Sequence, residues 1–275
     1  MIDKLEKLIC NRNLTVKDKF DNILVSDVSI DVYKGEFIGI VGESGSGKSL
    51  TVKSILGLLP QDLKVEVEYD EVLGYSINRL NDKQKRKLIG EEIGYVPQNT
   101  TEFLHPLIKV KNQICDGYRI HKNKSKKEAL ERAEMLLSKA GIKDTKRVLN
   151  SYPVQLSGGM KQRVNIAMAL MTDPKIIVAD EPTTALDTVT QKQIMELFYK
   201  LNKEEITILF ISHDLKIIKK FCNRIYVMYN GNIVESGETS SLFKNPSQDY
   251  TKKLFDSVPK LIRKTEQQIL RNIEV

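Results

Sequence analysis

Tryptophan is absent from the chain, and cysteine and histidine occur only three times each. Cys10, Cys115 and Cys222 are odd in number, far apart and without metal-ligand spacing, so they can build neither a disulfide framework nor a thiolate metal site. They read as reduced thiols of an intracellular protein. The histidines are equally scattered, which sets aside a metal reading of His105. Long apolar runs are missing too. Stretches such as Ile176-Ile177-Val178-Ala179 fall far short of the ~20 residues that cross a bilayer. Asp3, Lys4, Glu6 and Lys7 interrupt the start, so no secretory leader follows Met1. Internal repeats and low-complexity segments are also absent. The expectation is a soluble chain kept inside the cell.

What is present is enough for a sizeable core. The chain has 275 residues, 41% of them hydrophobic, and a chain of that length buries roughly three quarters of its unfolded surface. One large domain, or a domain with a subdomain, fits that length. Charged residues of both signs make up 29%, which excludes global disorder. The 43 Lys and Arg exceed the 36 Asp and Glu, for a net charge of +7. The cluster Lys122, Lys124, Lys126 and Lys127 reads as a solvated helix start. On charge alone, nucleic acid and an anionic membrane surface are both compatible.

Residues 22–41 read as strand material, ending in the continuous apolar run Phe37-Ile38-Gly39-Ile40-Val41 expected of a strand buried on both faces. That run feeds a glycine-rich loop, and a helical pattern follows through Leu50, Val52, Ile55 and Leu58 until Pro60. Another short strand falls at 92–97. From there to about 165 the pattern is helical, with a capping box at Ser125-Lys126-Lys127-Glu128 and Gly141 where a C-cap belongs. Strand signals return at 175–180, 207–211 and 225–229, where Asn230-Gly231 makes a hairpin turn into Ile233-Val234. Two α/β stretches thus flank a helical insertion, and a polar, Lys-rich tail with helical potential follows residue 240.

Gly42-Glu43-Ser44-Gly45-Ser46-Gly47-Lys48-Ser49 matches the phosphate-binding loop Gly-x-x-x-x-Gly-Lys-Ser/Thr. Its glycines let backbone N–H groups converge on phosphate oxygens at a helix N-terminus, Lys48 reaches the β- and γ-phosphates, and the Ser49 hydroxyl suits Mg²⁺. The chain is therefore expected to bind a nucleoside triphosphate. An apolar strand ends in Asp180-Glu181-Pro182. Asp180 suits a magnesium shell, and Glu181 suits a general base that polarises the attacking water.

A third motif, Leu156-Ser157-Gly158-Gly159-Met160-Lys161-Gln162-Arg163, resembles the signature of ABC-type ATPases. The other elements of that family follow in order: Gln98 as the Q-loop, Ala185-Leu186-Asp187 as the D-loop and His213 as the switch histidine. The resemblance spans roughly residues 14–240. It implies an α/β fold, a RecA-like P-loop NTPase core with an inserted helical subdomain at about 99–165, within an ATPase domain of residues 1–240 and followed by an extension at 241–275. It also implies catalytic roles for Glu181, His213, Lys48 and Gln98, and Mg²⁺ ligation by Ser49, Gln98 and Asp180. ATP contacts are expected from Gly42, Glu43, Ser44, Gly45, Ser46, Gly47, Lys48, Ser49, Leu50, Gln98 and Asp180, with Phe20 the candidate for stacking on adenine. In this family two ATPase domains meet head to tail, so Ser157, Gly158, Gly159 and Asp187 would serve nucleotide at the joint interface.

Within the family the chain is similar to ATPase subunits of oligopeptide, dipeptide and nickel importers, on Tyr152-Pro153, the Gln155–Met160 run, the Asp180–Asp187 run and Ser212-His213-Asp214-Leu215. It departs from them at Asn99-Thr100, at Leu104-His105-Pro106 and at Pro246-Ser247-Gln248-Asp249-Tyr250-Thr251, and the tail cysteine cluster of some relatives is missing. The resemblance implies two permease subunits, a second related ATPase, an extracytoplasmic solute-binding protein that acts indirectly, no nucleic acid, and a peripheral place on the cytoplasmic face of the membrane. The permease is expected to dock around Phe103 to Lys109. The competing reading, a stand-alone ABC-type ATPase acting on nucleic acid or ribosomes, normally brings coiled-coil insertions or two ATPase domains. This sequence has one motif set and no sustained heptads.

Overall fold

A computed structural model of the chain describes residues 6–99, 103–184 and 186–257. Ala185 of the D-loop, Thr100 beyond Gln98 and the tail after residue 257 lie outside the described residues.

Among the described residues ten strands form two sheets. Strands β1 (Lys7–Lys17), β2 (Ile23–Tyr33), β4 (Lys64–Glu66) and β5 (Tyr69–Val72) make an antiparallel sheet ordered β2-β1-β4, with β5 also paired to β1. Strands β3 (Phe37–Val41), β6 (Ile93–Val96), β7 (Ile176–Asp180), β8 (Thr207–Ile211), β9 (Arg224–Tyr229) and β10 (Asn232–Glu238) make the second, ordered β10-β9-β3-β8-β7-β6. It is parallel except for the β9–β10 hairpin, whose turn uses left-handed Asn230 (φ 45°) and Gly231 (φ 76°).

Every residue of β3, β7 and β8 is buried, because this sheet is covered on both faces. Phe37, Ile177, Ala179, Ile208 and Phe210 pack toward the helices. Their alternates Ile38, Ile40, Ile176, Val178, Leu209 and Ile211 pack against β1, β2 and α1 (Lys48–Ile55). The period-2 alternation of side chains thus sends one apolar run into two separate cores.

Further α-helices among the described residues are α2 (Asp82–Glu92), α3 (Val110–Lys122), α4 (Lys126–Lys139), α5 (Thr145–Asn150), α6 (Gly158–Ala169), α7 (Thr188–Lys203), α8 (Leu215–Phe221), α9 (Thr239–Leu242) and α10 (Asp249–Asp256). α4 opens on the expected Ser125–Glu128 capping box and is followed by left-handed Gly141 at φ 85°. α1 stops at Ile55, short of Pro60, because Gly57 turns left-handed at φ 66°. The polar tail packs back on the body: Thr251 is fully buried, and Phe255 stacks on Phe243 with centroids 4.0 Å apart. Among the described residues no helix is long and apolar enough to cross a membrane, and the three cysteines are free.

Four neighbouring strands, β3, β8, β7 and β6, run parallel and end at the same edge. A ligand crevice in an open α/β sheet lies beyond such carboxyl ends.

Candidate nucleotide site

The loop between β3 and α1 is a tight cradle. A Cβ at Gly42 (φ 155°) would lie 2.2 Å from the Met228 carbonyl oxygen and 2.7 Å from Ser46 Oγ, so only glycine fits. Gly45 and Gly47 are left-handed, at φ 82° and 98°. The hairpin braces the loop from behind: Gly231 N–H donates to the Ser46 carbonyl at 3.1 Å, and Ser26 N–H donates to the Gly231 carbonyl at 2.9 Å. Lys48 opens α1 and is buried, its Nζ donating to the carbonyls of Gly42 (3.0 Å) and Glu43 (2.8 Å). Burial pulls its pKa below the usual lysine value, opposed by the nearby carboxylates of Glu181 and Asp180. A buried ammonium, convergent backbone and a helix N-terminus without acidic residues in its first turn together favour an anion.

At the end of β7, Asp180 is buried with both oxygens engaged. Ser49 Oγ donates to Oδ1 at 2.6 Å, and the Tyr95 hydroxyl donates to Oδ2 at 3.0 Å. Burial, then the adjacent Asp180 charge, push the Tyr95 phenol well above its ordinary value, so it stays a donor. Glu181 follows in a left-handed conformation, φ 44°. Three groups meet its Oε2: Gln98 Nε2 donates at 3.2 Å, Thr184 Oγ1 donates at 3.0 Å, and His213 Nδ1 lies at 3.2 Å. The Glu181 side chain is 11% exposed and that of His213 58%. The structure therefore gathers Lys48, Ser49, Gln98, Asp180, Glu181 and His213 at one sheet edge, from four separate stretches of sequence.

Ser157, Gly158, Gly159 and Asp187 form a different surface. Ser157 caps α6 by accepting from Met160 N–H at 3.3 Å. A Cβ at Gly159 would lie 2.7 Å from Thr190 Cγ2, so α6 and α7 begin in contact. Thr190 Oγ1 donates to Asp187 Oδ2 at 2.6 Å, while the other oxygen caps α7 through the N–H groups of Val189 and Thr190. These bonds, the Thr190 hydroxyl foremost, hold the Asp187 carboxyl below its usual value. Gly158 is exposed and Gly159 half-buried.

Phe20 sits on the β1–β2 turn, 73% exposed, with Lys19 Nζ 5.0 Å above its ring. The following stretch of β2 reaches the cradle, since Val25 Cγ2 would lie 3.3 Å from a Cβ at Gly47. Sequence reasoning missed Tyr95, Thr184 and Tyr250, whose hydroxyl accepts from Glu43 N–H at 3.2 Å. Thr184 and Tyr250 lie within the 180–187 and 246–251 runs and Tyr95 in none, but nothing along the chain assigns these contacts, which only the fold makes.

The sequence profile of the ABC transporter family matches residues 25–184. The chain is 42% identical over 258 residues, covering 92% of itself and 94% of the relative, to the metal-staphylopine import system ATP-binding protein CntD of Staphylococcus aureus (strain NCTC 8325 / PS 47). It is 43% identical over 240 residues, covering 86% and 71%, to the dipeptide transport ATP-binding protein DppD of Bacillus subtilis (strain 168). The dimeric post-hydrolysis state of the ATP-binding cassette MJ0796 bound to ADP and Pi superposes with TM-score 0.74 at 31% identity, over 84% of this chain and 98% of that one. The fold alone is shared, at 23% identity and TM-score 0.73, with cbiO1 from Clostridium perfringens, over 98% of this chain and 94% of that one. This chain belongs to the ABC transporter family, as an ATP-binding and ATP-hydrolysing subunit.

Proposed function

We propose that the chain powers import of peptides or metal chelates, hydrolysing ATP held by residues 42–49 and passing the work to two permease subunits. The observation that carries this reading is the convergence of Gln98, Thr184 and His213 on Glu181 Oε2 beside the buried Lys48. In it, Lys48 neutralises charge on the β- and γ-phosphates. Glu181 accepts the proton of the attacking water, with Gln98 and His213 holding its carboxylate in place. Phe20, on its open turn, stacks on adenine, and Leu50 in α1 completes the contacts of the loop. Ser49 and Asp180, already in contact, present the hard oxygen donors that Mg²⁺ takes, joined by Gln98. When bound, Mg²⁺ supplies charge neutralisation to the phosphates.

Ser157, Gly158, Gly159 and Asp187, where α6 and α7 begin, serve ATP held by a second, related ATPase. Gly90, Tyr95, Phe103, Tyr118, His121 and Met168 line a groove of about 230 Å³ between the sheet and the helices. The half-exposed Phe103 stands at its edge. That groove is the seat offered to a permease at the cytoplasmic face of the membrane. The solute itself is handled by the permeases and an external binding protein, and no nucleic acid is involved.

The test is Lys48→Ala in the assembled transporter, which is expected to abolish magnesium-dependent ATP turnover together with solute uptake. Undiminished turnover would overturn the reading. A photocrosslinker at Phe103 should capture a membrane protein; capture of DNA or ribosomes would favour the stand-alone ATPase instead.

A further inference from the structure

The tail does more than cover the core. α10 is fastened by Glu235 of β10, whose Oε1 accepts from Ser247 N–H and Ser247 Oγ, both at 2.8 Å, and whose Oε2 accepts from Gln248 N–H at 3.2 Å. That anchor sets Tyr250, in the first turn of α10, against Tyr229 at the end of β9, with ring centroids 4.2 Å apart. The ring so placed brings its hydroxyl oxygen to the Glu43 N–H at 3.2 Å, across 207 residues of sequence. Burial keeps the phenol protonated.

The Glu43 N–H and the Gly42 carbonyl belong to one peptide plane. Its carbonyl end accepts from Lys48 Nζ at 3.0 Å, and its amide end donates to Tyr250. Gly42 has no side chain to resist rotation of that plane, so its orientation depends on what holds its two ends. If the amide end is released, the carbonyl that seats the Lys48 ammonium is free to turn.

We propose that Tyr250 is a positioning residue for the phosphate loop, fixing the Gly42–Glu43 peptide plane and so preorganising Lys48 for the triphosphate. The C-terminal segment thereby sets the nucleotide affinity of a loop more than two hundred residues upstream. This rests on the reading that residues 42–49 hold ATP. A held loop binds without first having to be ordered, so the contact acts on binding and leaves the chemical step alone.

The experiment measures ATP affinity on the full-length chain, and KM and kcat for ATP in the assembled transporter. Tyr250→Phe removes one oxygen and keeps the ring stack. It is expected to raise Kd and KM about 3- to 10-fold, the worth of one neutral hydrogen bond, with kcat within about twofold and the melting temperature without nucleotide unchanged. Tyr229→Leu frees the ring and should raise KM in the same direction by less. Lys252→Ala, on the same helix and paired to Asp249 at 2.9 Å, should change neither constant. Wild-type Kd and KM in Tyr250→Phe, or a fall in kcat with KM unchanged, would overturn the proposal. If Tyr250→Phe melts early, Tyr229→Leu decides, and an unchanged KM there overturns it equally. Lys48→Ala run alongside separates the two readings. If it binds ATP normally, the site itself is misassigned; if it fails while Tyr250→Phe binds normally, only the role of Tyr250 falls.

Discussion

The two motif-bearing surfaces of this chain are built on opposite plans. At the edge of β3, β7 and β8 the polar groups satisfy one another: Asp180 is held by Ser49 and Tyr95, Glu181 by Gln98 and Thr184, and Lys48 by two carbonyls. At the start of α6 the side-chain cap is Ser157, and of the two glycines that follow it Gly158 is exposed and Gly159 half-buried. A buried charged network must arrive assembled, because an unpaired partner in low dielectric is costly. A helix N-terminus built from a small cap and glycines presents bare N–H groups and waits for what docks on it. One surface is preorganised and the other is left open.

The sharpest test of that contrast is Glu181→Gln. Loss of a general base costs ~10²–10⁴-fold in rate, while the amide keeps the shape and most contacts of the carboxylate. Turnover should collapse with nucleotide binding intact, and a closed ATPase pair should accumulate on native mass measurement. Turnover at the wild-type rate would remove Glu181 from the role of base. Next in size is Gly159→Val, which forces a branched side chain against Thr190. Such overpacking costs ~1–3 kcal/mol, a drop of several degrees in melting temperature, yet ATP binding at this chain's own loop should be untouched. Weakened ATP binding in that variant would mean the two surfaces are coupled within one chain. The smallest effect is acid release of the tail. Burial pushes the Glu235 carboxyl up, but its hydrogen bonds outweigh this and hold it below the ordinary value. Its stabilisation is therefore complete above the titration of an unfolded glutamate and is lost as pH falls through the lowered folded value. Hydrogen exchange in residues 247–256 should rise in that acid window and stay flat above it.

What the sequence disclosed divides along similar lines. Strands that stack at the centre of a parallel sheet have no solvent face, so 37–41, 176–180 and 207–211 stand out as apolar runs, and the motifs at their ends are read directly. The Asn230-Gly231 turn and the Ser125 capping box are local chemistry and equally plain. β1 was not legible, because bulges with left-handed Asn13 (φ 53°) and Asp27 (φ 50°) shift its register against β2 and break the alternation that marks an amphipathic strand. α2 was hidden by its composition, with only Leu88 buried in eleven residues. Tyr95 belongs to no motif, Thr184 and Tyr250 lie within runs whose pattern says nothing of their contacts, and the value of all three lies in which carboxylate or amide the fold places beside them.

The left-handed backbone at Glu181 carries a consequence for what variation the position can tolerate. A φ of 44° is disfavoured for every side chain except asparagine, aspartate and glycine. Folding and chemistry therefore select different residues at this single codon. In a saturation library scored for abundance, glycine and asparagine should outrank glutamate, while β-branched residues should be depleted. Scored for ATP-driven growth on the transported solute, the order should invert, with glutamate alone at the top. A protein freed from its transport duty would be expected to drift at position 181 first, and to gain stability in doing so.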